Sequence, residues 1–328
     1  MLRSVLLGAL LAAPAMSQII LDTDSGFFGD DGVALTMLLR SNHAKDLIGI
    51  TVVSGNVWSN DGVGYMKRTA KLLGKPKLPV LAGSASPLVH TPALRRRETG
   101  IEFDGAFGLP LPKTYPPAGG IDFLIRTIDA NPHRVTILAI GPLTNLATAL
   151  RNRPDIATKI ESVVIMGGNV HAPGNASKAA EFNFWFDPEA AQLVLRSAIP
   201  KKLLFPLDVC NNAHLTKTLF DRVVDAKTPI TDLYREDFGN RYPGFLKNPK
   251  AESFLWDELA TAGLLNPKLV TRTESAWLDI DTNFGPRYGA VKLLDKSPIP
   301  ETTPTTVVLD MDFPKVFESY LAALTVRQ

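Results

Sequence analysis

Ten residues near the start of the chain hold four aspartates, Asp22, Asp24, Asp30 and Asp31. Ile19 to Leu21 before them read as a buried strand, and Val33, Ala34, Met37 and Leu38 after them recur at the spacing of an amphipathic helix. Asp30 and Asp31 therefore stand at a helix N-terminus. Carboxylates packed this closely repel one another, and a helix dipole offsets only part of that, under about 1 kcal/mol per exposed charge. A bound cation is the natural remaining neutraliser. The plainer alternative makes Asp22 and Asp24 turn residues and Asp30 and Asp31 helix caps.

The elements that must position these groups follow in regular alternation. Leu47 to Val53, Pro79 to Ala82, Val135 to Ile140, Ile160 to Met166 and Lys202 to Phe205 read as strands. Between them lie helices near 61–73, 119–130 and 143–150, and one opened by Asp187-Pro188. Strands alternating with helices of ten or more residues imply βαβ units, hence an α/β fold with an open, mainly parallel sheet flanked by helices. Beyond Val209 the pattern weakens to helices near 216–224, 251–264 and 314–324, with short strands near 275–280 and 305–308. The stretch from Gly83 to Pro117, rich in Pro, Gly and charge and including Arg95-Arg96-Arg97, reads as a functional loop or lid, its arginine run as solvated surface. In open parallel sheets ligands bind outside the carboxyl ends of the strands. Asp24, Asn56, the carbonyl of Ile140 and the loop bearing Asn175 all fall just past such ends, so they are expected on one rim.

With 328 residues and 45% hydrophobic content the chain can bury a large core. A formal charge of +2, with both signs interspersed, gives no footprint for nucleic acid or an anionic membrane. The expected partner is a small molecule. Residues 1–17 carry Arg3, an apolar run from Val5 to Ala13 and small residues at Ala15 and Ser17, the pattern of a secretory signal; residues 18–328 would then be a single secreted domain. Cys210 is the single cysteine, so no intrachain disulfide can help hold the fold.

The segment Asp22-Thr23-Asp24-Ser25-Gly26 through Asp30-Asp31-Gly32 resembles the metal-binding opening of the nucleoside hydrolases of the inosine-uridine-preferring type. A haloacid dehalogenase-type phosphatase also opens on a strand and Asp-x-Asp, but Ser25-Gly26 does not fit its continuation. The resemblance extends in family order through Val53-Ser54-Gly55-Asn56, Pro79 to Gly83, Ala139 to Ala147, Ile165-Met166-Gly167-Gly168, Gly174-Asn175 and Ala180 to Ala191. It covers about Ile19 to Val209 and implies a single nucleoside hydrolase-like, Rossmann-related domain. The implied activity is calcium-dependent hydrolysis of the N-glycosidic bond of ribonucleosides to ribose and free base, with a place in nucleoside catabolism and purine salvage, from a chain that can pair into dimers or tetramers.

Carried over position by position, the resemblance makes Asp24, Asp31, the backbone oxygen of Ile140 and Asp257 ligands of Ca2+, and Asp30 the general base that deprotonates the attacking water. Asn56, Asn175, Glu181 and Asn183 would hold the ribose, Glu181 and Asn183 from one side of an extended segment with Phe182 pointing away. Three departures stand out. Five residues rather than three separate Asp24 from Asp30, Gly32 replaces an alanine, and Trp256 occupies the place of a histidine that donates a proton to the leaving base in many members. Trp256 and Trp185 suggest a stacked purine instead. The same departures leave open a catalytically silent sugar- or nucleoside-binding protein, or a hydrolase of another glycosidic substrate. Asn175-Ala176-Ser177 is also a glycosylation sequon, and its Asn cannot serve both sugar ligand and glycan.

Overall fold

The computed structural model describes residues 18–26, 28–90 and 119–326. The expected leader over 1–17 and most of the expected lid, with Arg95 to Arg97, lie outside the described residues. The strands are β1 (Gln18–Thr23), β2 (Leu47–Val52), β3 (Val80–Ala82), β4 (Val135–Ala139), β5 (Ser162–Met166), β6 (Lys202–Phe205), β7 (His214–Thr216), β8 (Glu252–Phe254), β9 (Val270–Ile280), β10 (Val291–Leu294) and β11 (Thr305–Met311). The longer helices are α1 (Asp30–Leu39), α2 (Ser59–Leu72), α3 (Gly119–Ala130), α4 (Thr144–Asn152), α5 (Pro188–Leu195), α6 (Lys217–Val224), α7 (Pro229–Arg241), α8 (Asp257–Leu265) and α9 (Phe313–Thr325).

Nine strands form one sheet in the order β10-β9-β11-β6-β5-β4-β1-β2-β3, and β7 pairs with β8 apart from it. From β11 to β3 every neighbour is parallel, whereas β9 runs antiparallel to β11 and β10 antiparallel to β9. The expected α/β architecture holds, with an antiparallel extension at one edge. Successive strand residues feed two cores: Ile19, Leu21, Leu138, Val164 and Met166 on one face, Ile20, Ile137, Val163 and Ile165 on the other. Helices α3, α4 and α5 cover the second face, and α1, α2, α6, α7, α8 and α9 the first. Strands buried on both sides need apolar residues at every position, which is why they read as continuous apolar runs in the sequence.

Several elements differ from expectation. Helix α1 is not amphipathic: every residue from Asp31 to Leu39 is buried, because α2, α8 and α9 all pack around it. The helix expected over 251–264 is instead the short strand β8 followed by α8, so Asp257 opens its own helix. Helix α7 and strand β10 had no sequence counterpart. Yet α7 carries a start signal in plain view, a capping box between Thr228 and Thr231 with Pro229 at its first position.

Candidate active site

Strand β1 lies between β2 and β4, so the chain leaves it towards one edge of the sheet and later returns on its other side. This reversal of strand order is where open α/β sheets form their ligand crevice. Asp24 follows β1 directly and Ile140 follows β4 directly. A cavity of about 410 Å³ opens there, lined by Asp24, Asp30, Asn56, Ile140, Asn175, Glu181, Asn183, Trp256 and Asp257. Asp31 sits immediately behind, buried.

Ligand atoms of Asp30, Asp31 and Asp257 lie within 4.8 Å of one another. Asp24 joins them electrostatically: its charge bears on both Asp31 and Asp257, and that of Asp30 bears on it. Two of the acids are held by hydrogen bonds from neighbouring elements. The Asn56 amide donates to Asp24 Oδ2 at 2.6 Å, and the Thr23 hydroxyl donates to Asp31 Oδ1. Gly55 leaves room for this, since a Cβ there would collide with the Asp24 carboxylate. Neither Asp30 nor Asp31 is a helix cap, because the cap residue of α1 is Gly29 and Asp30 opens the first turn.

Burial pushes the Asp24 carboxyl up to about 8 and that of Asp30 up to about 6, and drives Asp31 and Asp257 well above the carboxylate range; neighbouring acids add to the rise for Asp24, Asp31 and Asp257. Among the described residues no Lys, Arg or His lines the cavity to compensate. A cluster of buried carboxylates with a backbone carbonyl at its rim and no cationic side chain is the donor set of a hard divalent ion. The residues fit a metal.

The other wall is built from the loop after β5. Glu181 caps the short helix 182–186, its carboxylate accepting from the amides of Gly168 at 2.7 Å, Asn183 at 2.7 Å and Phe184 at 3.1 Å. The expected extended segment is therefore helical, and Phe182 lines the cavity instead of pointing away. Helical geometry brings 182 and 183 to the same opening because Glu181 supplies the cap for the first turn. The Asn183 amide nitrogen donates to the carbonyls of Ile140 and Met166, both at 3.2 Å, which locks the β4 and β5 ends together. Asn175 Oδ1 accepts from the Phe182 amide at 2.9 Å.

Asn169, unremarked in the sequence, fastens this loop: its oxygen accepts from the Glu181 amide at 3.0 Å while its nitrogen donates to the carbonyls of Ala172 and Ala179. Tyr242, at the end of α7, also lines the cavity and was missed because α7 itself was missed. Trp185 does not line it; the aromatic surface comes from Trp256, Tyr242 and Phe182. His171 is exposed and pairs with Glu274, a surface role. Asp187 caps α5, as its Pro188 neighbour suggested.

The sequence profile of the inosine-uridine preferring nucleoside hydrolases matches residues 19–318. An uncharacterised protein of Schizosaccharomyces pombe is 38% identical over 200 residues, 60% of this chain and 63% of that protein. A pyrimidine-specific ribonucleoside hydrolase, RihB of Escherichia coli, is 30% identical across 90% of this chain and 94% of its own length. Among solved structures, a purine-preferring ribonucleoside hydrolase from Gardnerella vaginalis superposes with a TM-score of 0.72 at 26% identity, covering 94% of this chain and 98% of that one. The match runs through the acidic opening, both cavity walls and the helix that begins at Asp257. This chain belongs to the inosine-uridine preferring nucleoside hydrolase family.

Proposed function

We propose that the protein hydrolyses the N-glycosidic bond of ribonucleosides to ribose and free base, using a calcium ion held by Asp24, Asp31, Asp257 and the carbonyl oxygen of Ile140. The observation that carries this reading is the convergence of four acids and one carbonyl in a cavity where Asn56 stands beside Asp24 and the other wall presents Asn175, Glu181 and Asn183. Calcium suits the site because it accepts six to eight oxygen ligands in irregular arrangements. When bound, such an ion neutralises the carboxylates and acidifies water near them.

Asp30 is the base. It is partly buried and faces the cavity, and a pKa near 6 leaves it ionised at neutral pH while basic enough to take the proton of the attacking water. Glu181 is held by three amides, so its charge is fixed in direction where positive charge grows on the sugar. Asn56, Asn175 and Asn183 orient the ribose hydroxyls. The base leaves over the aromatic surface of Trp256, Tyr242 and Phe182, taking its proton from solvent. Because no histidine precedes Asp257, stacking rather than a positioned acid is what the leaving base meets, which favours purine ribosides.

The deciding experiment is Asp30→Asn, assayed for ribose release from inosine and uridine and titrated with calcium by calorimetry. Turnover is expected to fall by about 10²–10⁴-fold, with calcium and ribose still bound. Loss of calcium binding together with turnover would reassign Asp30 as a ligand and remove the base. For residues 1–17 we propose export and cleavage before Gln18, which N-terminal sequencing of the mature protein tests.

A further inference from the structure

The turn between Asp24 and Asp30 is two residues longer than the family pattern, and its extra length should loosen the two acids it carries. The structure shows what holds it. The Phe28 amide donates to Asp237 Oδ2 at 3.0 Å, across 209 residues of sequence, and Arg68 from α2 pairs with the same oxygen. The Phe28 ring, 1% exposed, packs against Tyr234 one turn earlier on α7, with ring centroids 5.5 Å apart. It also lies over Gly32, where a Cβ would come within 2.7 Å of the ring. The departure at Gly32 and the longer turn are thus one adaptation: the turn folds its aromatic residue onto α1, and only glycine leaves the space.

We propose that Asp237 is a positioning residue for Asp30 and Asp31, fixing the lengthened turn through the Phe28 amide so that both carboxylates face Asp257. The hydrogen bond falls two residues before Asp30 and three before Asp31, so the backbone between anchor and acids has little freedom left. Asp237 does not line the cavity and touches no reacting atom. Its partner Arg68 is more than a third exposed, so that ion pair is screened and adds little by itself. A partly buried amide without an acceptor, by contrast, would draw the turn out of place in search of one.

This inference rests on the role given to Asp30 above, and the test keeps the two apart. Asp237→Ala, Asp237→Asn and Arg68→Met are each assayed with inosine and uridine, titrated with calcium in the metal-free form by calorimetry, and melted. Asp237→Ala is expected to lower kcat by about 10- to 100-fold with KM within about twofold, since a displacement near 1 Å at a reacting group has that order of effect, and to weaken calcium by about tenfold. Asp237→Asn keeps an oxygen for the Phe28 amide and should recover most of both losses. Arg68→Met should stay close to the unaltered protein. Unchanged kcat and calcium affinity in Asp237→Ala would overturn the proposal, as would Asp237→Asn and Arg68→Met falling as far as Asp237→Ala, which would make the ion pair between helices the working contact. If the unaltered protein releases no ribose from either nucleoside, the hydrolase reading fails, and the calcium titrations of the three variants still decide the positioning role.

Discussion

At the scale of single residues, the site is a set of buried acids, two of which, Asp24 and Asp31, are held by one local hydrogen bond each. Asp24 is the clearest case, wedged against Gly55 and held by the Asn56 amide. Gly55→Ala should therefore push the Asp24 carboxylate aside and weaken calcium by about tenfold or more, read by calorimetry. Trp256, next to Asp257, lines the same cavity and is the ring proposed to stack on the leaving base. Trp256→Ala is expected to raise KM for inosine by about tenfold, the equivalent of about 1.4 kcal/mol of stacking, and to affect uridine less. Equal kinetics for inosine before and after the change would discard the proposed stacking.

At the scale of elements, strand ends are tied together by amide side chains. Asn145, in the first turn of α4, donates to Asp22 Oδ1 at 2.8 Å and accepts from the Ser84 amide at 2.6 Å, so one side chain joins β1, the segment after β3 and α4. Asn183 does the same for the ends of β4 and β5. Asn145→Ala would leave a buried carboxylate oxygen and an amide without partners, a loss of about 2–3 kcal/mol in stability. Denaturant unfolding monitored by tryptophan fluorescence measures it. A loss below about 0.5 kcal/mol would mean that these strand ends are held by their backbone ladders alone.

For the whole molecule, the acid cluster couples folding to pH and to metal. Asp30 near 6 and Asp24 near 8 both stand above the ordinary value of 3.8. In that range the metal-free folded protein binds more protons than the unfolded chain, so its stability is greatest at the acid end and falls as pH rises from about 4 to about 8. A divalent ion reverses the balance by stabilising the ionised form. The melting temperature in chelator should thus drop between about pH 5.5 and about pH 8, while saturating calcium flattens the curve and calcium affinity climbs with pH. A chelated protein whose melting temperature rises over that interval would show that the four carboxylates do not share one buried site.

The sequence by itself determined the parallel α/β architecture from β1 to β6, because short apolar strands alternating with helices have few other ways to bury both sheet faces. It also placed Asp24, Asn56 and Ile140 at the rim, since each follows a strand closely enough that local geometry carries it to the carboxyl end, whereas Glu181 was legible only through the family resemblance and arrives on the long loop after β5. What lay far along the chain was decided only by tertiary packing. Tyr242 reaches the cavity through α7, whose polar composition hides a helix stabilised by burial of Ile230, Leu233, Tyr234 and Phe238. The purpose of Gly32 and of the two additional turn residues emerges only when Asp237, more than two hundred positions away, is seen to accept the Phe28 amide. Spacing in sequence records which groups a local element can present, whereas the partners that fix their direction come from elements brought alongside by the core.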